Sequence, residues 1–584
     1  MSTKSDPSSE RVINYLAQPG SLDLKFRILD SPVSDMFEIP RLDIRNWKFR
    51  FGDSSKLLPL DRRGIRKPER QFAMFCLSFV LLVFLSPFQG ANGIGSAHDA
   101  VPSSSRQAQA VYDRGLAYLH SYSWNEAERS FNQALRLDPK LALAYVGLSY
   151  AYKELNDSAA ARAALHRAAA IDEHDRQHIE IRKVQMEAED APHDAAKLAA
   201  YRRALDDAIA KFPSDEELWL QRGVAESSDP ADRGQGGAGT AVRFYEQALK
   251  LAPDHFAAHH FLIHAFENTG RMDEALKHAS MYAKMAPASP HARHMHGHAL
   301  RRVGRIDEAV AEFETADRLE TEFLKATNIA PEHEWHYHHN LDLLAISYQY
   351  LGQMTKAERL LKESFAIPSN LAVQEFNKRE WPVFLLGRSR PQEAVAAANV
   401  MIAHSSPLIR ATGHIEAGHV MLAVGRFQQA ADEANAALRE LKSAPDGAAL
   451  VAASLERLQG EFFLRTGQRE KGRATLDQVI QKVRAAPGPD EWTQALFTLE
   501  AIARAAREAG DWDYASRVAK QMLEHDRSYA GTHYALALAA EHAGDSNTGR
   551  AEFALAEKFW DKADTNLAEL RAIRDRQQNN RSQR

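Results

Sequence analysis

The sequence predicts an all-α fold, a solenoid of antiparallel helix pairs, and three observations carry that expectation. Small residues recur 34 positions apart, Ala127 with Ala161, then Ala241 with Ala275 and Ala309. Larger apolar side chains stand four positions on at Phe131, Leu165, Tyr245 and Phe313, and a further small residue three beyond at Ala134, Ala168, Ala248 and Ala316. No run with the two-residue period of a strand, no glycine-rich phosphate loop and no nucleophile elbow interrupts the pattern. One helix pair cannot bury its apolar face, whereas stacked pairs share a continuous core. A chain of 584 residues therefore fits one long repeat array.

Residues 1–64 show no repeat and read as an irregular extension, with initiation near Leu60 as the alternative start. Residues 65–97 have the layout of a secretory signal peptide. Arg62, Arg63, Arg66, Lys67 and Arg70 precede the apolar run 72–88, and Ala91-Asn92-Gly93 and Gly95-Ser96-Ala97 offer small-residue cleavage sites after it. The run is short for a bilayer crossing, which wants roughly 20 residues. The expectation is a cleaved signal and an exported protein, periplasmic or extracellular. The alternative is a retained anchor facing the periplasm, the one case in which the protein would touch a membrane. Cys76, the only cysteine, lies in this run, so cleavage leaves neither a disulfide nor a thiol nucleophile.

Residues 98–105 read as a linker. From Arg106 to Asp561 apolar residues at three- and four-residue spacing predict about twelve amphipathic helix pairs. Repeats occupy 106–320 and 335–561, with 321–334 an insertion ahead of the unit anchored by Ala357 and 228–239 a flexible stretch. Gly270, Gly304, Gly352, Gly425, Gly467, Gly510 and Gly544 mark the turn inside successive pairs, where a positive φ ends a helix tightly. Residues 562–584 read as a helix end and a disordered tail. The net charge of −5, with both signs interspersed, gives no basic surface and excludes nucleic acid as the expected partner.

Histidine is the unusual feature. Thirteen of the 25 histidines lie between His255 and His339, and the pair His260 and His264 recurs 34 residues later as His294 and His298. Two histidines four apart share one helix face, near enough to hold one cation.

Gly115-x-x-Tyr118, Ala127, Phe131 and Pro139 resemble the tetratricopeptide repeat. The resemblance implies a right-handed superhelix whose first helices line the concave face. It places groove-facing residues 18, 15, 11, 8 and 7 positions before the small anchor of the second helix. Those offsets select His260, His264 and Glu267, then His291, His294, His298, Arg301 and Arg302, then His339 and Asp342. Residues 255–360 also resemble a group of uncharacterised bacterial tetratricopeptide proteins. The matching positions are His260, His264, Ala265 and Glu267, then His294, Met295, His298, Gly304 and Arg305, then His339 and Asn340. His296-Gly297 and Asp342 depart from that group's pattern.

Two functions follow as expectations. The first is an exported scaffold that grips a protein or peptide in its concave groove, with His291, Arg302, His339 and Asn340 facing the ligand. The alternative is a metal-dependent enzyme of hydrolytic type, or a metal-binding or sensing protein. Its candidate ligands are His260, His264, His294, His298, Asp342 and Glu267, with Glu267 the nominee for general base. Zinc is the first choice of cofactor, and manganese or iron if more oxygen ligands join.

Overall fold

The structure, a computed structural model, describes residues 93–582 apart from 237–238, 370 and 487–490. The extension, the apolar run and Cys76 lie outside the described residues. No helix among the described residues is long and apolar enough to cross a membrane.

The described residues form twelve helix pairs, a short extra helix Ala372–Asn377 between the seventh and eighth, and one last helix, Ala568–Ser582, and contain no strand. Within a pair, a small residue of the first helix lies under a large side chain of the second. A Cβ added at Gly115 would stand 2.8 Å from the Phe131 ring, and one at Gly297 would stand 2.8 Å from Phe313. Gly297, which departs from the bacterial group's pattern, thus repeats the contact made by Gly115. All seven glycines expected at the intra-pair turns have positive φ. In three units a non-glycine residue takes that conformation, Tyr122, Asn156 and Ser389.

The superhelix returns on itself twice. In the first half, Trp124 of the first pair stacks on Trp335 of the seventh at 5.4 Å. In the second half, Arg388 grips Glu569 through two hydrogen bonds of 3.1 and 3.0 Å, and Tyr350 donates to Asp526 at 2.8 Å.

Four segments differ from the sequence expectation. Residues 93–97, assigned to the leader, and 98–105, assigned to a linker, form a strap on the folded body. Ala288 N donates to Gly93 O at 2.6 Å, Ser121 Oγ donates to Ile94 O, and Val101 is buried. The stretch 228–239 is folded over most of its length. Asp232 accepts from the backbone of Gly234 and Gly236, and Gly234 lies against the Phe261 ring. The 321–334 insertion begins as helix, because Ile306–Thr327 continues two turns beyond an ordinary second helix and Leu324 on the added turns is buried. The supposed tail is the helix Ala568–Ser582, held by buried Leu570 and Ile573 beside Trp560.

Candidate functional site

Three consecutive first helices, Phe256–Asn268, Pro290–Arg302 and Trp335–Tyr350, carry the histidines. Ser289 caps the second of them by accepting from Ala292 N, and Pro290 opens its first turn with a φ already suited to a helix. The strap and the 228–236 loop cover Phe256–Asn268, so almost every residue of that helix is buried, histidines included.

Two imidazole triads result. In the first, His260 Nε2 lies 3.1 Å from His264 Nε2 and 2.9 Å from His291 Nε2. In the second, His298 Nε2 lies 2.9 Å from His294 Nε2, and His339 completes a set whose ligand atoms fall within 4.8 Å of one another. Three imidazole nitrogens bound to one tetrahedral ion at about 2.0–2.1 Å would stand roughly 3.3 Å apart. Hydrogen bonding alone satisfies the first triad poorly, because His260 Nε2 has one proton or one lone pair to share between two neighbouring nitrogens.

Aromatic rings surround the triads, all of whose histidines are buried except the half-buried His339. Tyr122 stacks on His291, Tyr282 on His260 and Trp335 on His339, while Phe313 meets His294 and His298 edge-on. Burial, and after it the neighbouring imidazoles, holds His260, His291 and His294 well below the ordinary histidine range. They are neutral at pH 7, the state in which imidazole offers a lone pair.

Polar groups behind the rings set their orientation. Asn340 Nδ2 donates to Phe313 O, which turns its Oδ1 toward His294 Nδ1 at 2.9 Å. His294 therefore keeps its proton on Nδ1 and its lone pair on Nε2. His336 Nδ1 lies 2.6 Å from Glu320 Oε2. Burial raises Glu320 and lowers His336, so both partners are neutral at pH 7. Glu267 is buried 3.8 Å from His264 Nδ1, a supporting position and not one within the triad.

Two other histidine clusters are of a different kind. His120 and His255 both contact Glu217, and His174 and His178 both contact Asp215. Burial opposes charge at His255, but the Glu217 hydrogen bond and negative charge raise its pKa. Asp215 is likewise lowered to about 2 against its burial by bonds from His174 and His178. These are carboxylates clasped by imidazoles, whereas the two triads contain no carboxylate.

The structure brings His260, His264, His291, His294, His298 and His339 together. Asn340 and Glu267 sit behind them, and Asp342 is buried on the same helix as His339. Arg302 lies on the helix that carries His291, His294 and His298, and its charge also acts on His525, in the second half of the array. Tyr122 and Trp335 pack on His291, while His339 beneath Trp335 remains partly exposed.

His336, Glu320 and Tyr122 were not selected by the offsets. The first helix carrying His336 begins 22 residues before its anchor Ala357, against 19 for Phe256 and Ala275. His336 lies on that added length, three residues before His339. That i, i+3 relation to a selected histidine was the available signal. Tyr122 is remote in sequence, and nothing local marks it.

Two family models, each described as tetratricopeptide repeat, match this chain, one over residues 233–298 and one over 142–175 and 290–323. No curated protein matches it. Among solved structures it is similar to yeast Tom70, at 13% identity over 82% of this chain and 97% of that chain, TM-score 0.32. It is similar to a tetratricopeptide repeat protein from Parabacteroides merdae, at 14% identity over 45% of this chain and 93% of that one, TM-score 0.33. It is also similar to the human IFIT1 dimer with m7Gppp-AAAA, at 11% identity over 78% and 91%, TM-score 0.32.

Proposed function

The chain carries tetratricopeptide repeats, and from that premise we propose that its middle repeats hold divalent transition-metal ions in the two imidazole triads. The observation that carries this reading is the convergence of His260, His264 and His291 Nε2 on one buried point. Imidazole donors without thiolate or carboxylate suit zinc, copper or nickel, and disfavour magnesium, calcium and manganese. A bound ion of this kind supplies Lewis acidity and lowers the pKa of bound water, the basis of metal-assisted hydrolysis. The chain's own contribution is to hold neutral imidazoles in fixed orientation and to exclude bulk water with Tyr122, Tyr282 and Trp335. Elemental analysis of protein purified without a histidine tag tests the proposal. Stoichiometric zinc, copper or nickel, lost in His264→Ala and His298→Ala, is the expected result. Protein that neither retains nor takes up any of these metals would overturn it.

A second reading concerns partners. Tetratricopeptide proteins generally bind other proteins, and solenoids offer concave surfaces for the purpose. The surface that supports this role here is in the second half of the array, away from the histidine face. It is a cavity of about 630 Å³ lined by Arg379, Arg457 and Arg504 together with Glu380, Glu416 and Glu461. Two ion pairs in its wall, Arg379–Glu380 and Arg457–Glu461, are long at 3.6 Å, so a segment carrying both charges can engage them. Loss of partner capture in Arg457→Ala, with wild-type helicity, is the expected result, and unchanged capture counts against the cavity. Export of the protein completes the proposal, and N-terminal sequencing of chain from its native host tests it.

A further inference from the structure

We infer that the first half of the array holds a binding site for a small neutral aromatic carboxamide, in a cavity walled by Tyr112, Trp124, Tyr150 and Tyr201. The inference is independent of the metal-binding reading above.

Size and wall chemistry define the body of the ligand. The cavity measures about 140 Å³, and an apolar cavity of about 150 Å³ admits one benzene-sized ring. Aromatic side chains in the wall favour a flat partner, which they meet by offset stacking or edge-on contact.

Charge argues for a neutral ligand. Each lysine and arginine in the wall already meets a glutamate. Arg182 Nη1 donates to Glu189 at 2.7 Å, Lys153 stands 3.4 Å from the same carboxylate, and Arg233 pairs with Glu154. An anion would therefore lose its hydration without gaining a free counter-charge. Burial raises Glu154 and Asp99 to about 7, so neither offers a full negative charge to a cation at neutral pH.

The polar end of the ligand follows from three wall residues, each with a buried atom that has no hydrogen-bond partner. These atoms are Arg182 Nη2, a donor, and Oε1 of Gln185 and of Gln221, both acceptors. Gln185 Nε2 donates to Pro230 O at 3.2 Å, which identifies Oε1 as its unused end. Arg182 and Gln185 stand three apart on helix Glu173–Glu189 and share one face. Buried polar atoms with nothing to bond are rare in a folded protein and call for an explanation. A primary carboxamide matches the three in kind and number. Its carbonyl oxygen accepts from Arg182, and its two N–H groups donate to the glutamines. A hydroxyl has one proton to donate and leaves one glutamine oxygen unpaired.

Calorimetric titration of the full-length protein with benzamide tests the inference, with benzoate as the anion of the same shape. The wild type should bind one benzamide per chain, and benzoate at least about 10-fold more weakly. Val224→Trp places an indole in the cavity and should abolish binding. Gln221→Met keeps the length of the side chain but removes its acceptor, and should weaken benzamide on the order of 10-fold. It decides the matter if Val224→Trp fails to fold. Any one of four results would overturn the inference: no saturable uptake of benzamide at millimolar concentration, benzoate bound as tightly as benzamide, or wild-type affinity in Val224→Trp or in Gln221→Met.

Discussion

The phenol ring of Tyr122 stacks on the imidazole of His291 at 4.8 Å with 28° between the planes, although one belongs to the first helix pair and the other to the sixth. Tyr122 reaches this position from a backbone with φ of 59°, at the turn where later repeats place glycine. Its hydroxyl donates to Arg233 O on the loop that covers Phe256–Asn268. A left-handed conformation costs a non-glycine residue about 1–2 kcal/mol, and its persistence points to a role in closing the histidine cluster.

Tyr122→Gly separates these effects. It relieves the backbone strain but removes a buried aromatic ring, whose truncation typically costs about 3–5 kcal/mol. The expected outcome is a net loss of roughly 2 kcal/mol in denaturant unfolding, with faster carbethoxylation of the histidines by diethyl pyrocarbonate. A variant as stable as wild type, with equally protected histidines, would show that Tyr122 closes nothing.

The close approach inside each pair gives a second prediction. Gly115→Leu drives a side chain into Phe131, whose ring would lie 2.8 Å from the new Cβ. Overpacking of this kind costs about 1–3 kcal/mol. A lowered denaturation midpoint with retained helicity is expected, and the midpoint of wild type would mean that the ring moves aside without cost.

Each buried neutral imidazole should contribute a loss of stability on acidification. An unfolded histidine takes up a proton near pH 6.5, whereas burial keeps folded His336 neutral down to about 3 and His338 to about 4. Between those values the unfolded chain binds more protons, so stability rises with pH across the window and is lost on acidification. The slope is at most about 1.4 kcal/mol per pH unit for each fully buried group. His255 acts in the opposite sense, since its raised pKa contributes stability below pH 6.5 that is lost as pH rises through the folded value. His260, His291 and His294 add to the first effect, while the buried carboxyls Glu320, raised to about 8, and Glu154 and Asp99, each raised to about 7, act with His255. His338→Gln isolates one imidazole: between about pH 7 and about pH 5 the wild type should lose more stability than the variant, and equal losses would contradict a buried, neutral His338.

What the sequence revealed depended on whether the signal was periodic. Gly270 through Gly544 mark the turns because these repeats share the same positive φ, and the His260/His264 and His294/His298 pairs were visible because they too follow the 34-residue period. His336 escaped because its helix starts outside the common offset. The cover over Phe256–Asn268 escaped as well. It depends on Tyr122 meeting His291, and on Gly95 and Gly234 meeting Phe256 and Phe261, contacts made by the superhelical path and by non-repetitive segments. A reading built on the average repeat expects first helices to face an open groove; in this array the strap and loop cover one of those helices.

His264 and His298 provide the last prediction, because they belong to different triads. If the triads bind independently, the losses in metal affinity from His264→Ala and His298→Ala should add within about 0.5 kcal/mol. If the shared helix Pro290–Arg302, whose His291 and His294 face one triad each, couples them, removal of one triad weakens the other, and the double variant should lose less than the sum of the singles. The expected pattern is non-additivity, read from zinc affinities by competition with a chromophoric chelator. Additivity would leave two separate sites.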